Sequence, residues 1–240
     1  MIKIGLTAAM GLALLIGTHT AVAQTFSEAA SGSDRIQTGG GSGSADLYGS
    51  GNDDGFQSYG ITTFNMTAAD FGVMAVSDIT TVILDLTFND RFFSDGTQFG
   101  LYFTSDDFDA AYTGLSYDAA GPNDPSGLDA TQFANLTSLG TYATGFDTTD
   151  GANGGMVFNY SVNFAAVEAD LIAEINAGSD FSLILTATDN ADDITFSGVG
   201  NTFDPGDPAL TITTAAAVPE PGSAIVLSLM ALAGVCRRRR

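Results

Sequence analysis

The feature that most narrows what this chain can fold into is a two-residue alternation of apolar side chains, repeated in four separate stretches. Val82, Leu84, Leu86 and Phe88 alternate with Ile83, Asp85, Thr87 and Asn89. Phe99, Leu101 and Phe103 alternate again, as do Phe158, Tyr160, Val162 and Phe164, and Phe181, Leu183, Leu185 and Ala187. Successive side chains on a strand point to opposite faces, so each stretch offers one face to a core and one to water.

Shorter stretches at residues 60–64, 142–146, 194–196 and 209–213 lie between Gly, Asp and Asn clusters and bring the count to about eight strands. The fold class is therefore all-β, an antiparallel β-sandwich or jelly roll. Asp95-Gly96 reads as the turn of a hairpin joining the first two alternating stretches. One short helix is predicted over residues 165–176, where Val167, Leu171 and Ile175 form a single apolar stripe, Asn163 stands in position to cap and Gly178 to terminate. It is placed to close one end of the sandwich. Residues 31–44 are Gly/Ser-rich and read as a flexible loop, and residues 119–131, with Pro122, Asp124 and Pro125, as a long surface connection.

Charge sets the second limit. All acids but Glu220 lie in residues 24–218, where Arg35 and Arg91 are the sole basic residues, a balance of −25 from 27 acids and two arginines. Such a surface repels phosphate backbones, so nucleic acid is not an expected partner. The same stretch contains no His, Lys, Cys or Trp. That removes the usual zinc ligands, the histidine base of a hydrolase triad and the amine of Schiff-base chemistry. Paired carboxylates are the remaining acid–base option. Glu168 and Glu174, however, stand about 240° apart around the predicted helix and cannot face one substrate, while Asp170 and Glu174 flank its apolar stripe as a solvated edge. The expectation is a non-catalytic protein.

Hard cations match the acids better, because calcium takes Asp and Asn side chains together with carbonyls. Candidate ligands cluster at Asp106, Asp107 and Asp109, and at Asp189, Asp192 and Asp193, with a further acidic turn at Asn52, Asp53 and Asp54. The stretch from Asp189 to Gly200 lacks the Gly at position 6 and the Glu at position 12 of an EF-hand loop. Calcium ligands, solvated turn acids and an acidic surface adapted to salty water all produce this composition, and all three stay open. Tyr112 and Tyr117 are the aromatic pair best placed in a loop to contact a sugar, with loop anchoring as the alternative. Tyr160 alternates with core phenylalanines and is expected to be packed.

The two ends carry addresses. Lys3 gives a positive start, residues 4–16 an apolar run, and Ala21 and Ala23 the small-residue pattern that signal peptidase cuts after, leaving Gln24 first. A retained anchor is the alternative, but this run falls short of the ~20 residues that span a bilayer. At the other end Pro219, Glu220 and Pro221 precede an apolar segment, residues 224–236, and then Arg237, Arg238, Arg239 and Arg240. The prolines keep the chain extended, the segment would make a helix of about 20 Å, and the arginines hold the far end in the cytoplasm. Cys236 lies within that segment. The expected organisation is a signal helix (1–23), an acidic β-sandwich (24–214), a linker (215–218) and a hydrophobic sorting tail (219–240).

That tail resembles the PEP-CTERM sorting signal of bacterial exported proteins. The resemblance implies processing by an exosortase, a transient stay in the inner membrane, and delivery to the cell surface or the extracellular polysaccharide matrix. Pro219, Glu220 and Pro221 would be recognition residues in a substrate of that enzyme. The order helix, strand, Thr195-Phe196-Ser197-Gly198, then Asp207-Pro208-Ala209-Leu210-Thr211-Ile212-Thr213 is similar to the end of carbohydrate-binding-like jelly-roll domains on bacterial surface proteins. It implies a sandwich and transfers no binding residue. Together these features predict a surface or matrix protein with a structural or adhesive role. A glycan- or calcium-dependent binding module stands as the alternative, followed by a carboxylate hydrolase.

Overall fold

The computed structural model of the chain describes residues 23–37, 46–51, 57–89, 94–105, 136–145, 154–189, 192–202 and 205–215. Within them the strands are β1 (Thr25–Ala29), β2 (Gly32–Gln37), β3 (Asp46–Gly51), β4 (Gln57–Asn65), β5 (Ile79–Thr87), β6 (Gln98–Thr104), β7 (Thr137–Ala143), β8 (Val157–Ser161), β9 (Asp180–Ala187), β10 (Asp193–Ser197) and β11 (Ala209–Thr214), with one helix, α1 (Glu168–Ala177). The pairings among these strands are antiparallel.

The strands form two sheets. The first has the order β1-β11-β5-β8; the second runs β10-β3-β4-β9-β6-β7, with β2 also pairing to β4. Set β2, β3 and β10 aside, and the remaining strands, taken in chain order, pair as first-eighth-third-sixth and second-seventh-fourth-fifth. Two interlocked Greek keys of this kind make a jelly roll. The last strand thus lies inside the first sheet, between β1 and β5.

The alternating residues face one another across the sandwich. Val82, Leu84 and Leu86 of β5, with Leu210 and Ile212 of β11 and Tyr160 of β8, pack against Phe64, Phe99, Leu101, Phe103, Phe181, Leu183 and Leu185 of the other sheet. Each fully buried Leu or Phe of such a core contributes about 1.5–3 kcal/mol. β9 is buried on both faces, because Ile184 joins Ile36, Tyr59 and Ile61 in a second apolar cluster on the opposite side of its sheet.

The helix forms over the expected stripe, with Val167, Leu171 and Ile175 buried. Gly178 ends it at φ 65°, its N–H donating to the Ile175 carbonyl while Ser179 N–H donates to Glu174, a Schellman closure that needs the left-handed residue. Val167 and Leu171 meet Val82 and Leu210 of one sheet and Phe103, Phe181 and Leu183 of the other around a wholly apolar space of about 10 Å³, room for barely one water. Asn176 fixes the helix further, accepting from Val76 N–H at 2.7 Å and donating to the Val76 carbonyl at 2.8 Å.

Four expectations need correction. Asp95-Gly96 does not turn a hairpin: β5 and β6 lie in different sheets, and the Asp95 and Gly96 N–H groups instead donate to the Asp193 carbonyl of β10 at 3.0 and 2.9 Å. The start of the Gly/Ser-rich stretch is strand β2, because Ile36 pairs with Tyr59 and buries with it. Asn163 does not cap the helix, whose N-cap position is Val167 without a side-chain bond. The seventh strand covers Thr137–Ala143 rather than residues 142–146, since Leu139 supplies its buried side chain.

Two substitutions test this packing. A Cβ at Gly206 would stand 2.8 Å from Thr87 Cβ, itself held on buried β5, so Gly206→Ala should lower unfolding stability by about 1–3 kcal/mol in urea titration. Thr62 shares the core face of β4 with its partner Leu183, and its buried hydroxyl has no hydrogen-bond partner among the described residues. Thr62→Val should therefore leave stability unchanged or raise it by up to about 1 kcal/mol in the same titration.

Candidate functional site

The candidate acids of the β9–β10 connection fall at the corner where the two sheets meet. Phe88, just past β5, bridges Phe196 of β10, and Asn89 N–H donates to the Thr195 carbonyl at 3.2 Å. Asp192 and Asp193 sit beside the Asp95-Gly96 segment there. The Asp192 side chain lies against Gly96 and accepts from the Thr188 hydroxyl at 2.6 Å. Asp193 N–H donates to the Asp95 carboxylate at 3.0 Å, and Gly51 N–H donates to the Asp192 carbonyl at 3.0 Å. Asp189 lies two residues beyond β9. Among the described residues no three acids, histidines or cysteines converge as a metal group would require. Of the named candidates, the structure brings Asp192 and Asp193 together and adds Asp95, whose only signal in the sequence is an acidic residue before a glycine.

The same corner contains an acid that the sequence did not single out. Asp46, at the start of β3, accepts from the side-chain amide of Asn89 and, at 2.6 Å, from that of Asn201. One carboxylate thereby ties β3 to the segments following β5 and β10, which come from positions 43 and 155 residues away. Other acids accept from neutral donors too, Asp85 and Asp180 across strands distant in sequence and Asp70 and Asp207 within three and seven residues. Asp85 accepts from Asn159 at 2.5 Å, Asp180 from Asn65, Asp70 from the Thr67 N–H and hydroxyl at 2.7 and 2.8 Å, and Asp207 from Gly200 N–H at 2.9 Å. Such bonds to a charged acceptor are about twice as strong as neutral ones.

The remaining acid–base candidates are apart from one another. Glu168 opens the helix, where its carboxylate meets the helix dipole and accepts from Ile79 N–H at 3.4 Å. Glu174 lies at the other end, in an open polar hollow with Asn65, Ser105, Ser179 and Asp180.

None of the described tyrosines is an exposed platform. Tyr59 and Tyr160 are buried; Tyr48, Tyr102 and Tyr142 are half-buried. Tyr160 packs edge-on to Phe99 at 4.9 Å between ring centres and donates its hydroxyl to the Thr144 carbonyl at 2.7 Å. Burial raises its pKa above the ordinary 10.0. Asp106, Asp107, Asp109, Tyr112 and Tyr117, the 52–54 turn, the 119–131 connection, the signal segment before Ala23 and the tail with Pro219, Glu220, Pro221 and Arg237 to Arg240 lie outside the described residues. Among the described residues no helix is long and apolar enough to cross a membrane. No protein-family model matches the chain, and no curated protein matches it.

Asp46→Ala leaves two amides without their acceptor and should cost about 2 kcal/mol in chemical denaturation, more than Asp85→Ala at an exposed pair. Tyr160→Phe gives a pH signature. The raised pKa means that the fold favours the neutral phenol, so its contribution is complete below pH about 10 and is lost as pH climbs towards the raised value. The Phe variant should start about 1 kcal/mol less stable and lose less stability than the parent across that alkaline range.

Proposed function

We propose that this is an exported, non-catalytic protein whose acidic jelly roll is displayed at the cell envelope or in the extracellular matrix after sorting through its C-terminal tail. Its processing partners are signal peptidase and an exosortase, the inner membrane is a transient station, and extracellular polysaccharide is the expected surrounding. What supports this reading is the placement of the chain ends. The compact unit runs from Ala23 to Ala215, and Gln24 and Thr214 are joined by a backbone hydrogen bond of 2.8 Å. A cut before Gln24 and a cut at the Pro219-Glu220-Pro221 motif would both spare the jelly roll. In this reading the carboxylates keep the surface hydrated and satisfy backbone and amide donors, and the domain has no catalytic residue.

Deleting residues 219–240 tests the sorting role. The truncated protein should leave the membrane fraction for periplasm or medium with an unchanged melting temperature, because the deletion lies outside the core. A product still held in the membrane, or one that is unfolded, would overturn the reading.

A further inference from the structure

Cleavage after Ala23 would expose the amine of a glutamine, and the structure shows what that residue does in the fold. Gln24 is exposed, and its carbonyl oxygen accepts from Thr214 N–H at 2.8 Å and from the Thr214 hydroxyl at 3.4 Å. The next residue starts β1, whose pairing is with β11. We propose that Gln24 of the mature protein is converted to pyroglutamate, an inference that rests on the export reading above.

The chemistry is complete within the residue. The terminal amine attacks Cδ of the side-chain amide, a lactam C–N bond forms, the carboxamide C–N bond breaks, and one ammonia leaves with the proton surrendered by the amine. Nothing is oxidised or reduced. The five-membered ring contains N, Cα, Cβ, Cγ and Cδ. The carbonyl that Thr214 holds, and the ψ rotation that aims it, lie outside the ring. The modified residue can therefore keep both bonds to Thr214.

Closure has two consequences for this particular domain. Arg35 and Arg91 are the sole basic side chains of residues 24–218, so losing the terminal ammonium removes one of very few cations. It also denies aminopeptidases the free amine they recognise. Phe26 of β1 packs against the core, so an exopeptidase that worked inward from Gln24 would strip the cover from β11.

The test is intact-mass analysis and Edman degradation of the full chain, secreted with its own leader from a bacterial host. The expected product is one ammonia lighter than a chain beginning at Gln24 and resists Edman degradation. Pyroglutamyl aminopeptidase should then release a single residue and open the chain at Thr25. Gln24→Asn, which would need a strained four-membered ring, should show the full mass and a reactive amine. A parent protein that begins at Gln24 with its ammonia retained and its amine reactive would overturn the inference and leave the export reading standing. A chain beginning at any other residue would overturn the inference, and one that keeps residues 1–23 would overturn the export reading with it.

Discussion

The jelly roll assembles against its own charge. Residues 24–218 carry 27 acids and two arginines, so a carboxylate drawn towards the interior has few cations to meet and must be satisfied by neutral donors. The corner between the sheets shows the solution. Asp46 takes two side-chain amides, Asp95 takes a backbone N–H and Asp192 takes a threonine hydroxyl. Asp46 and Asp95 thereby join segments distant in sequence, while Asp192 holds Thr188 four residues away. The net field is left to be screened by salt and water, with the two apolar faces supplying the opposing free energy.

Topology adds a second constraint. β11 lies between β1 and β5, so the first sheet cannot form until nearly the whole domain has been delivered. Pairings of such separation close slowly, because the loop entropy is spent before the contacts form. Were the chain exported as proposed, N-terminus first, this order would keep the domain open during passage and close it once β11 emerged. The bond between Gln24 and Thr214 then holds the two ends of the described domain together.

Much of this was legible in the sequence, for physical reasons. β5, β6 and β9 carry three or four apolar residues at period two, Phe158 and Tyr160 of β8 begin a run that Val162 and Phe164 continue past the strand's end, and α1 carries its stripe and terminal glycine. β1, β2 and β3 each offer a single large apolar side chain to the core clusters, Phe26, Ile36 and Leu47, too few to show a period. The Asp95-Gly96 turn signal was genuine, but bonds to β10 took its N–H groups, and no local pattern reports a partner about a hundred residues away. The corner acids were visible as acids. Their partners, Asn89 and Asn201, were not, because ordinary asparagines at wide separation carry no spacing to recognise.

We propose that the acidity of this domain acts as a field spread over its surface rather than as a set of ligands for one ion. Thermal unfolding of the domain in sodium, magnesium and calcium chlorides at matched ionic strength tests it most directly. The account predicts coincident melting temperatures that rise together with ionic strength, as screening of like charge requires. A rise specific to millimolar calcium and abolished by chelator would contradict it, because an ion that binds only the folded state stabilises by mass action at a preformed site.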